Sequence, residues 1–138
     1  MTTLILTHPA CRGHDPGPGH PESPARLDAV LRGLDGLPGT AVAEAPAAAP
    51  EALEGVHRAD MVQAVLGAIP AEGYAALDAD TIVCPASREA ALRAAGAAFA
   101  AVDAVMAGGA ADAGMSRGVA DAFCAVRPPG HHATPDRA

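Results

Sequence analysis

Ala122-Phe123-Cys124-Ala125-Val126-Arg127-Pro128-Pro129-Gly130-His131-His132 is the stretch on which the reading of this chain turns. Five apolar residues run without interruption into a turn of prolines and glycine, and two imidazoles follow. A short continuous apolar run bounded by turn residues is the pattern of a strand buried on both faces, as in a parallel sheet covered by helices on either side. Groups that follow such a strand stand at its carboxyl end, the edge of an open α/β sheet where ligands bind. Pro128 and Pro129 fix two φ angles and Gly130 opens a conformation closed to other residues, so the backbone entering the histidines is constrained. Taken alone, two adjacent histidines read as a polar loop; the rest of the chain alters that balance.

Upstream, Thr3-Leu4-Ile5-Leu6-Thr7 is β-branched and apolar and predicts an interior opening strand. His8-Pro9 ends it, and the Gly, Pro and His-rich loop from Ala10 to Pro21 is long enough to be functional. If the two strands are parallel, that loop leaves the same sheet edge as the His-His turn. Ser23-Pro24 predicts a helix start, with Ser as N-cap and Pro at the first helical position. Leu27, Val30, Leu31 and Leu34 form its apolar stripe and Gly36 its stop.

Thr40 to Ala43 predicts a short strand, Pro46 to Pro50 a connector, and Ala59 to Ala68 a second helix whose Met61, Val62, Val65, Leu66 and Ile69 face the core. Tyr74 to Pro85 reads as a second loop bearing Asp78 and Asp80. Ser87 is expected to cap the longest helix, Arg88 to Ala107, with a buried stripe of Leu92, Ala95, Phe99, Val102 and Met106 and a stop at Gly108-Gly109. Strand and helix alternate, which predicts an α/β fold with a mostly parallel sheet.

The chain of 138 residues is on the order of one domain. Its apolar half is dominated by Ala, with two Phe, one Tyr and no Trp, so backbones must approach closely. A net charge of -7 without a basic cluster argues against nucleic acid as partner. Cys11, Cys84 and Cys124 are odd in number and widely spaced, and read as reduced thiols of a cytoplasmic protein. No basic segment precedes the opening apolar run, so a signal peptide is not expected. Arg93, Asp103 and paired glycines interrupt the Ala-rich stretch 90–111, against a membrane span.

Three stretches together resemble the zinc-dependent histone deacetylase family, in its class II-like, bacterial deacetylase, acetylpolyamine amidohydrolase and acetoin-utilisation branches. They are His20-Pro21-Glu22-Ser23-Pro24-Ala25-Arg26, Leu77-Asp78-Ala79-Asp80-Thr81 and Val126-Arg127-Pro128-Pro129-Gly130-His131-His132-Ala133, with Val56-His57 in between. The resemblance implies a three-layer α/β/α sandwich with a mostly parallel sheet, of the arginase/deacetylase kind and incomplete here. It implies hydrolysis of the acetyl amide of acetyl-lysine or an acetylated polyamine in a narrow tube that ends at Zn2+. His131 would then stabilise the tetrahedral intermediate beside the attacking water, and His132 would be general base and then acid. Asp80 matches a rim aspartate that accepts hydrogen bonds from the substrate backbone; His20, Pro129 and Gly130 would also meet substrate, and Arg26 would border an internal cavity through which acetate leaves.

Each residue also has a plainer reading. Arg26 in a first helical turn reads as a solvated or carboxylate-paired side chain, and Asp80 as a turn residue. His14 and His20 have no neighbours that complete a ligand set, so they read as loop histidines, and His57 as structural. In the family the zinc ligands, two aspartates and a histidine, follow the tandem histidines. No Asp-x-His follows His132 here, so no metal ligand is expected within the chain. Residues 1–138 are therefore expected to be the N-terminal part of a single deacetylase-like domain, truncated after the His-His turn, inactive alone, and prone to self-association through an exposed sheet edge. The alternative is a non-catalytic truncated scaffold or interaction module.

Overall fold

The computed structural model describes residues 2–107 and 118–137. Strand β1 (Thr2–Thr7) is the centre of a three-stranded sheet, flanked by β2 (Thr40–Glu44) and β5 (Val119–Cys124), and both neighbours run parallel to it. Leu4 and Leu6 point to one face and Ile5 to the other, as the alternation of a strand requires, and all three are buried. That double burial explains why Leu4-Ile5-Leu6 carries no polar residue.

Helix α1 (Pro24–Leu34) covers one face, where Leu27 meets Ile5, Cys11 and Ala125. Helix α4 (Ser87–Met106) covers the other, where Ala97 joins Leu4, Leu6, Ala45 and Val119. The result is helix, parallel sheet, helix, the layering expected from the sequence. Two short helices, α2 (Pro50–Leu53) and α3 (Ala59–Gly67), follow β2, and α3 turns Val62 and Leu66 inward as its periodicity predicts. No described helix is long and apolar enough to cross a membrane.

Several expectations are corrected. The strand expected at Ala122 to Val126 is paired from Val119 to Cys124 and is not buried on both faces. Phe123 lies beside Ile5 in register yet is 46% exposed, because no described element flanks the outer edge of β5. The segment Tyr74 to Pro85 is not purely loop: β3 (Ala75–Ala76) and β4 (Ile82–Val83) pair antiparallel across a turn that holds Asp78 and Asp80. Ser23 occupies the N-cap of α1 in extended conformation, but its hydroxyl makes no capping bond. Asp35 is the C-cap of α1, and Gly36 follows it with a φ of +70°. Ser87 lies inside α4, whose N-cap is Ala86.

The largest correction concerns the buried face of α4. Phe99, Val102 and Met106 are exposed, whereas Ala90, Gly96 and Ala97 are buried and Ala100, Ala101 and Ala104 lie against the core. Small side chains let the helix axis approach the sheet and the β2–α2 connector, and the large residues of the same helix do not fit there. A Cβ added at Gly96 would overlap the carbonyl oxygen of Pro46 and come within 2.8 Å of the Ala48 nitrogen. The expected stop at Gly108-Gly109 lies outside the described residues.

The close approach at Gly96 generates a test. Gly96→Ala gains helix propensity but overpacks a backbone contact, and such overpacking costs roughly 1–3 kcal/mol. Urea unfolding should show a lowered midpoint with an unchanged slope; an equal or raised midpoint would contradict the contact.

Candidate active site

Parallel strands bring their carboxyl ends to one edge. The amide of Ala125 donates to Leu6 O (2.8 Å) and that of Ala45 to Thr7 O (2.8 Å), so the chain leaves β1 and β5 side by side. Two segments diverge there: the stretch from His8 to Pro21, which is not wholly loop as expected but opens with a 3-10 turn at Pro9–Arg12, and the turn Arg127 to His132. Between them, the β3–β4 turn and α3 lies a cleft of about 790 Å³. His20, Arg26, Asp80 and the run Pro129 to His132 all line it, so the substrate, cavity and catalytic residues expected from the resemblance border one cavity. Met61, Val62 and Val65 of α3 supply an apolar wall.

His131 and His132 are exposed to the cleft, with ring centroids 4.2 Å apart and planes tilted by 51°. The amide of Ala133 donates to Gly130 O (3.0 Å), closing the turn that lets adjacent side chains share one side. His20 Nδ1 accepts the amide of Glu22 (3.1 Å), which leaves the proton on Nε2, 3.3 Å from the carbonyl oxygen of Asp80 and 3.8 Å from its carboxylate. Asp80 itself reaches into solvent at the mouth. The turn-forming role suggested for it belongs to Asp78, whose Oδ1 accepts the amides of Asp80 and Thr81 (2.8 Å each). Those bonds, first that from Asp80, hold the Asp78 carboxyl below its usual range, so the rim stays anionic. Arg26 is 63% exposed and lies 3.5 Å from Glu22, the carboxylate-paired arrangement, while lining the cleft.

The sequence reading assigned no role to the pair at the base of this site. Arg127 is only 4% exposed. Its Nε donates to Glu22 Oε1 (2.7 Å), its Nη2 to Glu22 Oε2, and its Nη1 to the carbonyl oxygens of Cys11 (3.1 Å) and His14 (2.9 Å). A charged residue between an apolar strand and two prolines must be paired if it is buried. That was the available signal; the partner, 105 positions away, had none.

His14, read as a loop histidine, is also buried. Its Nδ1 lies 2.8 Å from Ser87 Oγ and its Nε2 3.6 Å from Glu22 Oε2. An ionised carboxylate accepts only, so the proton belongs on Nε2 and Nδ1 accepts from the serine hydroxyl. Burial first, then the Arg127 charge, push the His14 pKa below its ordinary 6.5. The neighbouring Cys84 thiol is raised by burial, but hydrogen bonds, that from the Asp15 amide first, outweigh that and leave it lowered.

Among the described residues no group of three His, Cys, Asp or Glu side chains is placed to hold a metal ion. These residues therefore do not fit the zinc site that the resemblance implies. What the cleft offers is an imidazole pair, a cationic guanidinium, an anionic rim and an apolar wall. Such a set binds and transfers protons.

Comparison with known proteins supplies the family. Residues 20–138 match the histone deacetylase domain. The chain is 37% identical over 131 residues to a histone deacetylase-like amidohydrolase of Pseudomonas aeruginosa, covering 94% of this chain and 31% of that protein. It aligns with the crystal structure of the HDA15 HD domain at a TM-score of 0.78 and 28% identity, covering 100% of this chain and 39% of that one. The chain belongs to the histone deacetylase family of hydrolases, and it spans about a third of the length of the curated relative it matches.

The buried neutral His14 sets a pH dependence. The unfolded chain takes up this proton near pH 6.5 and the folded chain only below that, so the contribution is complete above about 6.5 and is lost as pH falls toward the folded value. Urea midpoints should decline as pH falls below about 6.5, and His14→Gln should flatten that decline. An unchanged slope in the variant would contradict the assignment.

Proposed function

We propose that this chain is the N-terminal part of a single deacetylase domain and forms the proton-handling wall of an acetyl-amide hydrolase. The substrate class is acetyl-lysine or an acetylated polyamine. The observation that carries the reading is the convergence of His131, His132, Asp80 and Arg26 on one cleft. His132 takes a proton from the attacking water as its oxygen bonds to the acetyl carbon, then returns it to the amine nitrogen as the carbon–nitrogen bond breaks. His131 donates an N–H to the oxyanion that forms in between. Acetate and a free amine result.

His20, Pro129 and Gly130 shape the channel, the rim carboxylate of Asp80 holds the substrate backbone, and Arg26 meets the departing acetate. The resemblance implies zinc as Lewis acid, but the described residues assemble no ligand set for it, and what they supply is binding and proton transfer. The anionic rim and the net charge of -7 suit a cationic amine and oppose nucleic acid. Three free thiols fit a cytoplasmic setting.

A second reading, a non-catalytic scaffold, is favoured by the same lack of a ligand set, and the unflanked edge of β5 with exposed Phe123 gives it a surface for self-association. The two separate in one assay: acetate release by the full-length protein from an acetyl-lysine peptide and from an N-acetylated polyamine. The hydrolase reading predicts turnover of one of them, and a loss of kcat of about 10²- to 10⁴-fold in His132→Ala. Absence of turnover on both, or turnover indifferent to His132, would contradict it. For residues 1–138 alone, sedimentation should show a mass that rises with concentration; a strict monomer would overturn the edge proposal.

A further inference from the structure

The imidazoles of His131 and His132 make no side-chain hydrogen bond to any other described residue; each ring is set against the other at 4.2 Å. Their aim must come from the backbone on either side. Downstream, His57 Nδ1 lies 2.9 Å from Thr134 O and the amide of Arg58 donates to Pro135 O (2.7 Å), so the segment after the histidines is tied to the entrance of α3. These contacts are exposed. Upstream the tie is Arg127, whose guanidinium spans Glu22, Cys11 and His14 and is closed off from water.

From Arg127 to the histidines there is little slack. Pro128 and Pro129 allow no φ rotation, and the Ala133 amide closes the turn on Gly130 O. Rotating the guanidinium would break several hydrogen bonds at once, and leaving it there without Glu22 would strand a buried charge. The pair therefore fixes both the loop at the end of β1 and the turn at the end of β5, the two walls of the cleft. Glu22 couples it further to His14 and Ser87 at the start of α4.

We propose that Arg127, clamped by Glu22, is the positioning residue that aims the tandem imidazoles into the cleft, with His57 as the downstream tether. The proposal rests on the amide-hydrolase reading of that cleft only for its kinetic readout. An imidazole displaced by about 1 Å from the reacting atoms costs up to 10²-fold in rate, whereas contacts remote from the turn continue to bind substrate.

The test uses the full-length protein with Arg127→Lys, which keeps the charge and loses the fork, and Glu22→Gln, which keeps the shape and loses the charge. Two quantities are read. One is the set of histidine ring signals in NMR, including the cross-relaxation between the rings of His131 and His132. The other is kcat and KM for acetate release. Both variants should move the ring signals and lower kcat about 10- to 100-fold with KM nearly unchanged. If one variant fails to fold, the other carries the same readouts, and His57→Phe adds a half-buried third site whose effect should be weaker in the same direction. Ring signals and kcat that stay at wild-type values while thermal stability falls would reduce the pair to a structural brace and overturn the proposal. If the wild type releases no acetate, the hydrolase reading fails by itself and the ring signals alone decide: unmoved signals overturn the positioning role, moved signals sustain it.

Discussion

Arg127 keeps a full charge where almost no water reaches it, and a lone guanidinium there would be untenable. Removing two charges from water costs several kcal/mol per ion, which is recovered only when geometry is good and the remaining donors are satisfied. Here the fork meets both oxygens of Glu22 and the remaining nitrogen meets two backbone carbonyls. The pair is thus less a source of net stability than a constraint. Loss of either partner leaves the other uncompensated, at a cost of about 3–5 kcal/mol. Because its acceptors lie in the segment after β1 and its own backbone lies after β5, its hydrogen bonds tie those two segments together.

The sheet makes this constraint useful. Parallel pairing in the order β2-β1-β5 delivers both segments to one edge, and α1 rises from the first of them immediately after Glu22. On the opposite face α4 approaches through Ala90, Gly96 and Ala97, bringing Ser87 to His14 at the floor of the cleft. Fold and site are therefore not separable: the small residues that let α4 settle also seat the hydroxyl that meets His14 Nδ1.

Much of this was readable in the sequence. The runs Leu4-Ile5-Leu6 and Leu27 to Leu34 carry their periods openly, and Pro-Pro-Gly before two histidines announces a constrained turn. The stretches containing His20, Asp80 and His131-His132 pointed to the histone deacetylase family, and the family match bears that out. The face of α4 was not readable, because hydrophobic periodicity weights Phe99, Val102 and Met106 over alanines, whereas burial in a tight helix–sheet contact is decided by size. Nor was the β3–β4 hairpin, since strands of two residues carry no periodicity. Glu22 and Arg127 were inside recognised stretches, yet their bond depends on three-dimensional closure and leaves no local mark. The bounds of β5 shifted for a related reason: Val119 is buried by contact with the core beneath α4, not by a pattern in its own neighbours.

The most direct test of the account is a crystal structure of the full-length protein with an acetyl-lysine substrate analogue bound. The account predicts the acetyl group within hydrogen-bond reach of His131 and His132, roughly 2.6–3.2 Å between heavy atoms, and the chain leaving past Asp80. An analogue bound with its acetyl group away from both imidazoles, or with its backbone remote from Asp80, would contradict the claim that this cleft is where the amide is cut.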